Sequence, residues 1–165
     1  MPHSVHLFLE QVHHQLWDGC KFLINAHHIT QTGSTGEQTE QFDHYNLDKV
    51  FFQEYNKDYP HKQWTVGFAG RPGGPDFYIN KIGNTKTHGP HGQGQWDLPE
   101  EADPCFGEIV DGKEVIMRFN EVQNSEINNQ LAEPISIYKA WIVKIDDPAR
   151  EDVPLREDDH MEIVN

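Results

Sequence analysis

The sequence predicts a mainly β fold: an antiparallel β-barrel, closed or nearly so, capped by two helices. Three observations carry this expectation. Short runs rich in β-branched and aromatic residues recur between Gly, Pro, Asn and Asp turn signals. Helical periodicity is confined to two stretches, one near each end. The chain has 165 residues with nine Phe and four Trp, enough for one domain with its own core and short for two.

Taken in order, SVHLFLEQVHHQLW (4–17) places Val5, Phe8, Leu9, Val12 and Leu16 at three- and four-residue steps, which predicts a helix with Ser4 as N-cap. After Asp18-Gly19, CKFLINAHHITQT reads as one or two short strands, and 34–48 as mostly connection. FFQEYNKDYPHKQ reads as a helical turn or an irregular segment, because Pro60 interrupts it. WTVGFA (64–69) and DFYINKI (76–82) are strands around a Gly/Pro loop, and GNTKTHGPHGQGQWD (83–97) reads as a long surface loop. PCFGEIV is a short strand. Val115, Ile116, Phe119 and Val122 predict the second helix within DGKEVIMRFNEV, and ISIYKAWIVKI (135–145) a final strand. The stretch 146–165 holds eight acidic and two basic residues and reads as a mobile acidic tail after a domain spanning 1–145.

A formal charge of −14 argues against nucleic acid as a partner, since that affinity rests on Lys and Arg displacing counterions. No apolar stretch is long enough to span a bilayer, and MPHSVHLF lacks a signal peptide's charged and apolar regions, so no membrane partner or targeting segment is expected. Cys20 and Cys105 could form at most one bridge, in a domain that has no need of a disulfide framework. Cys105, ahead of Phe106 in a strand, is expected to be buried and inert. The loop RPGGP lacks the residues of a phosphate-binding loop.

The order of these blocks resembles the cyclophilin family of peptidyl-prolyl cis-trans isomerases. SVHLFLEQV followed by WDGCKF is similar to the family's first helix running into its S-x-F-H-R-V strand, and HITQTG to the segment ending in Q-G-G. WTVGFAGRPGGPDFYI is similar to the strand, Gly-containing loop and S-Q-F-F-I of the family, and ADPCFGEIVDGKEVIMRF to its H-V-V-F-G-x-V block. The resemblance covers about residues 4–145 and implies a cyclophilin-like antiparallel barrel capped by two helices. Family members carry two strands before the first helix, whereas this chain begins at the helix. The expectation is a truncated or misplaced start and a barrel lacking its N-terminal strand pair, with open edges that invite pairing.

The resemblance also implies the chemistry. Rotation about a peptide bond faces about 18–20 kcal/mol, and X–Pro bonds populate both isomers. A cyclophilin-type isomerase grips the twisted amide better than either planar form, using an apolar proline pocket and an Arg that donates hydrogen bonds, with no cofactor and no metal. Phe22 takes the motif's leading Phe, and Ile24 falls at the position of that Arg. His28 takes the place of a pocket Phe, Gln31 of the substrate-contacting Gln, and Tyr78 of the second pocket Phe. Leu98 stands where a Trp usually sits, Asp103 replaces a His, Asp76 replaces a Gln, and Val66 and Gly67 lie where the backbone faces the peptide. Loop Arg71 is the one nearby guanidinium that could substitute, with a solvated surface residue as its ordinary reading.

The expected function is therefore binding of a proline-containing peptide or protein segment, with absent or weak isomerase activity. An active, specialised isomerase is one alternative. A His-rich metal-binding barrel is another, resting on eleven histidines, with His88-Gly-Pro-His91 nearest to ligand spacing and His13-His14 and His27-His28 as further pairs. The acidic charge favours basic or neutral peptides over acidic ones. Compartment and oligomeric state stay open.

Overall fold

The computed structural model describes residues 1–92, 102–125 and 129–144. The tail 146–165 and Leu98 lie outside them. The elements run α1 (Pro2–His13), β1 (Lys21–Asn25), β2 (Ile29–Gly33), α2 (Glu37–His44), β3 (Thr65–Gly70), β4 (Gly73–Asn80), α3 (Thr85–His88), β5 (Cys105–Glu108), α4 (Lys113–Arg118) with a 3-10 turn at Phe119–Glu121, and β6 (Gln130–Ser136). The strands form one antiparallel six-stranded sheet in the order β5-β3-β4-β2-β1-β6.

Alternation along the strands decides the two faces. Phe22, Val66, Phe68, Phe77 and Ile79 point to one face and join the main core with Leu7, Val12, Trp17, Ile116 and Phe119. Phe106 of β5 and Leu131 and Ile135 of β6 reach the same cluster, so both outer strands contribute side chains to one core. Helices α1 and α4 lie against that core, and α2 docks through Phe42, whose ring centroid is 5.1 Å from that of Trp17. The result is the mainly β, helix-capped antiparallel fold the sequence predicts.

Several local expectations are corrected. Helix α1 starts at Pro2 rather than after Ser4, because proline's fixed φ suits the first helical turn. Its buried residues are Ser4, Leu7, Gln11 and Val12, while Val5 and Leu9 are exposed. The polar members of that face are satisfied: Ser4 Oγ donates to Glu54 Oε2 at 2.5 Å, and Gln11 bridges the Leu47 carbonyl and Trp17 Nε1. Connection 34–48 contains α2, which apolar periodicity cannot reveal because Phe42 is its one large apolar residue. The Gly/Pro loop is only a two-residue turn, Arg71-Pro72, with Gly70 paired to Gly73 and Gly73-Gly74-Pro75 inside β4. Gly70 has φ +104°, open to glycine at little cost. The long surface loop 83–97 begins with α3.

The final strand is shifted. β6 covers 130–136 and pairs with β1, and among the described residues beyond it Ile137 continues the ladder, through the Cys20 carbonyl and the Gly19 N–H. Residues 138–143 are strand-prone, but strand propensity needs a neighbour to pair with. Cys20 and Cys105 are free thiols, both buried, and burial, with Asp76 and Asp18 adding to it, pushes Cys20 up to about 11.

Candidate functional site

The register aligns four expected site residues in a row across the sheet. Ile24 pairs with Gln31, Gln31 with Tyr78, and Tyr78 with Gly67. Directly opposed residues share a face, so this row lies on the side of the sheet away from the main core. There Tyr78, Ala26 and Ile29 form a second small apolar cluster with Ile24 and Ala69 against it.

Tyr78 is fully buried because other segments fold over it. His61, from the irregular stretch before β3, lies roughly parallel to its ring at 6.1 Å, and His88, placed by α3, lies at 4.5 Å. The Tyr78 hydroxyl donates to Asp103 Oδ2 at 3.4 Å, and His88 Nδ1 meets the same oxygen at 2.5 Å. Arg71 Nε donates to Asp103 Oδ1 at 2.9 Å, and its Nη2 reaches the carbonyls of His88 and Gly89. The side chains of this ion pair are 0 % and 1 % exposed. Arg71 is thus an inward-folded tether, not a solvated loop residue. A buried charge is tolerated here because Nε pairs with the Asp103 carboxylate and Nη2 finds two carbonyls, although among the described residues Nη1 is left without a partner.

Burial dominates the electrostatics. It drives the Tyr78 hydroxyl well above its usual range, reinforced by the neighbouring Asp103 carboxylate. It pushes His61 down to about 4, with His88 and Arg71 acting in the same direction and Asp103 opposing. Among the described residues, neither ring nitrogen of the buried His61 has a hydrogen-bond partner, and neither does Nη1 of Arg71. His28 is half-buried, its ring 5.8 Å from His88, and burial followed by His88 lowers its pKa.

The other expected residues are placed elsewhere. Val66 faces the main core on the opposite side from Gly67, and β3 is paired on both sides by β4 and β5, so it offers no free backbone edge. Asp76 Oδ1 accepts from the Ser34 N–H at 2.9 Å, tying β4 to the end of β2, and burial raises its pKa. His61 was not singled out by the sequence, since nothing in the local pattern around Pro60 marks it. Among the described residues no three His, Cys, Asp or Glu side chains converge as a metal-ligand set. The histidines at 13, 27 and 91 are exposed.

Comparison with known proteins decides the family. The sequence matches the family described as cyclophilin type peptidyl-prolyl cis-trans isomerase/CLD over residues 1–142. This chain belongs to the cyclophilin-type peptidyl-prolyl cis-trans isomerase family. Two crystal structures of a cyclophilin type peptidyl-prolyl cis-trans isomerase from Cryptosporidium parvum are similar in fold, each with a TM-score of 0.64 and 15% identity. One, in the presence of the dipeptide Ala-Pro, is matched over 87% of this chain and 87% of its own, and the other over 87% and 85%. No curated protein matches the sequence. Among the described residues of this cyclophilin-type domain, no helix is long and apolar enough to cross a membrane.

Proposed function

We propose that this cyclophilin-type domain binds proline-containing peptide segments on the outer face of its sheet, with absent or weak isomerase activity. One observation carries the proposal: the residue opposite Gln31 is Ile24, which donates no hydrogen bond, while Arg71 is bound to Asp103 and two carbonyls. Removing one donor that stabilises a transition state costs about 2.7–4 kcal/mol, a hundredfold to a thousandfold in rate. The peptide-contacting residues are the half-buried Ile24, His28, Gln31 and Ala69. Tyr78, Gly67 and Asp103 form the layer beneath them. The fold-related Cryptosporidium parvum enzyme, crystallised in the presence of Ala-Pro, supports this ligand class.

Exchange spectroscopy by NMR on an Ala-Pro peptide tests both halves. The expected result is no acceleration of cis/trans exchange at micromolar protein, with amide shifts around residues 24–31 as peptide is added. Acceleration at micromolar protein would instead establish the active, specialised isomerase. Absence of any shift at millimolar peptide overturns the binding half.

A further inference from the structure

At the end of β1 a cleft of ≈ 390 Å³ is lined by Asn25, Ala26, His27, Lys81 and the stretch 120–124. Lys81 is only 5 % exposed. Its Nζ donates to Asn25 Oδ1 at 2.8 Å and to Asn120 Oδ1 at 2.9 Å. Both acceptors are neutral amides, and among the described residues no carboxylate stands within ion-pair distance of it. Glu121 lines the cleft but is exposed and makes no ion pair with Lys81. An ammonium has three donors, so one N–H bond is left over along with an uncancelled charge. Buried charges are ordinarily paired, because amide oxygens solvate an ammonium without neutralising it. Burial correspondingly lowers the Lys81 pKa.

We propose that this cleft binds a carboxylate against Lys81. The carboxylate accepts the third N–H in a charge-assisted bond and supplies the missing counter-charge. A monoanion suits the site better than a phosphate, because one lysine shares the cleft with Glu121 within a chain of formal charge −14. Two sources share this chemistry: a free small acid, or an Asp or Glu side chain of a bound peptide. The second rests on the peptide-binding reading and on geometry, since Ala26 both lines the cleft and belongs to the apolar cluster on the outer face. It would reverse locally the bias against acidic peptides that the overall charge creates.

The test is an NMR titration of the protein with sodium acetate against sodium chloride at matched ionic strength, beside two capped peptides, Ala-Glu-Pro-Ala and Ala-Gln-Pro-Ala. Saturable acetate shifts at residues 25–27 and 120–124, lost in Lys81→Met and kept in Lys81→Arg, support the site. Since Lys81→Met could unfold the protein, Asn120→Asp serves as the second variant. It places a permanent carboxylate beside Nζ and is expected to weaken acetate binding at least about tenfold while leaving the melting temperature unchanged or higher. A preference of about tenfold for the Glu peptide assigns the carboxylate to the peptide. Equal affinities for the two peptides, with acetate still saturating, assign it to a free acid. If neither peptide binds but acetate does, the cleft stands and the peptide-binding reading falls. No saturable acetate response and no Glu preference, or acetate binding unchanged in Asn120→Asp, overturns the proposal.

Discussion

Gly67 shows how one residue shapes the outer face. A Cβ built there would lie 2.7 Å from the Tyr78 hydroxyl and 2.8 Å from the Pro104 carbonyl, so only a bare backbone lets Tyr78 lie flat across β3. Gly67→Ala is expected to destabilise the domain by about 1–3 kcal/mol, read from the urea midpoint, because neither neighbour is a flexible chain end. His61 adds a pH dependence whose sign can be worked out. Its ordinary value of 6.5 falls to about 4 in the folded protein. Above 6.5 neither state binds the proton, between 6.5 and 4 mainly the unfolded state does, and below 4 both do. Stability is therefore lost as pH falls through that window, by on the order of 3 kcal/mol. His61→Gln should flatten this slope relative to wild type in urea titrations across the window, and parallel slopes would discard the assignment. The proposal of absent or weak isomerase activity rests on Ile24 standing where the resemblance implies a donor. An Ile24→Arg variant is expected to accelerate prolyl exchange where wild type does not, measured on the same Ala-Pro peptide. What the sequence could not show is that Arg71 and Asp103 are partners, because 32 positions separate them and only the β3–β4 turn and the approach to β5 bring them together.

Among the elements, α1 separates pattern from packing. Its apolar residues suggested a stripe through Val5 and Leu9, yet the face turned inward is Ser4, Leu7, Gln11 and Val12. Partners waiting in the fold decide this: Glu54 for Ser4, and the Leu47 carbonyl and Trp17 for Gln11. Leu7→Ala should cost about 2–5 kcal/mol in chemical denaturation, as for other buried leucines. Leu9→Ala, at a position 39 % exposed, should cost well under half as much. Equal losses would mean that the helix turns its Leu9 face to the core. β6 gives the complementary case. The sequence located a strand near the C-terminal end of the domain but placed it several residues late, because ISIYKAWIV has higher strand propensity than QLAEPIS. Pairing with β1 outweighed propensity.

Across the whole molecule, Tyr138, Trp141, Ile142 and Val143 are at least half exposed on a stretch that pairs as no strand among the described residues, while the chain carries a formal charge of −14. Apolar exposure favours association and net charge opposes it, and salt screens only the second. Light scattering should therefore show self-association rising with sodium chloride, and Trp141→Lys should reduce it. Association that weakens with salt would contradict this balance. The sequence by itself determined the family and the strand-rich helix-capped fold, because residue order and local pattern are written along the chain. Only the tertiary structure decided which helix face is buried, where the last strand pairs, that Tyr78 is roofed by His61 and His88, and that Lys81 is buried without a counter-charge among the described residues. Each of these depends on groups distant in sequence meeting in a low-dielectric interior, where a single unmet hydrogen bond or charge outweighs local preference.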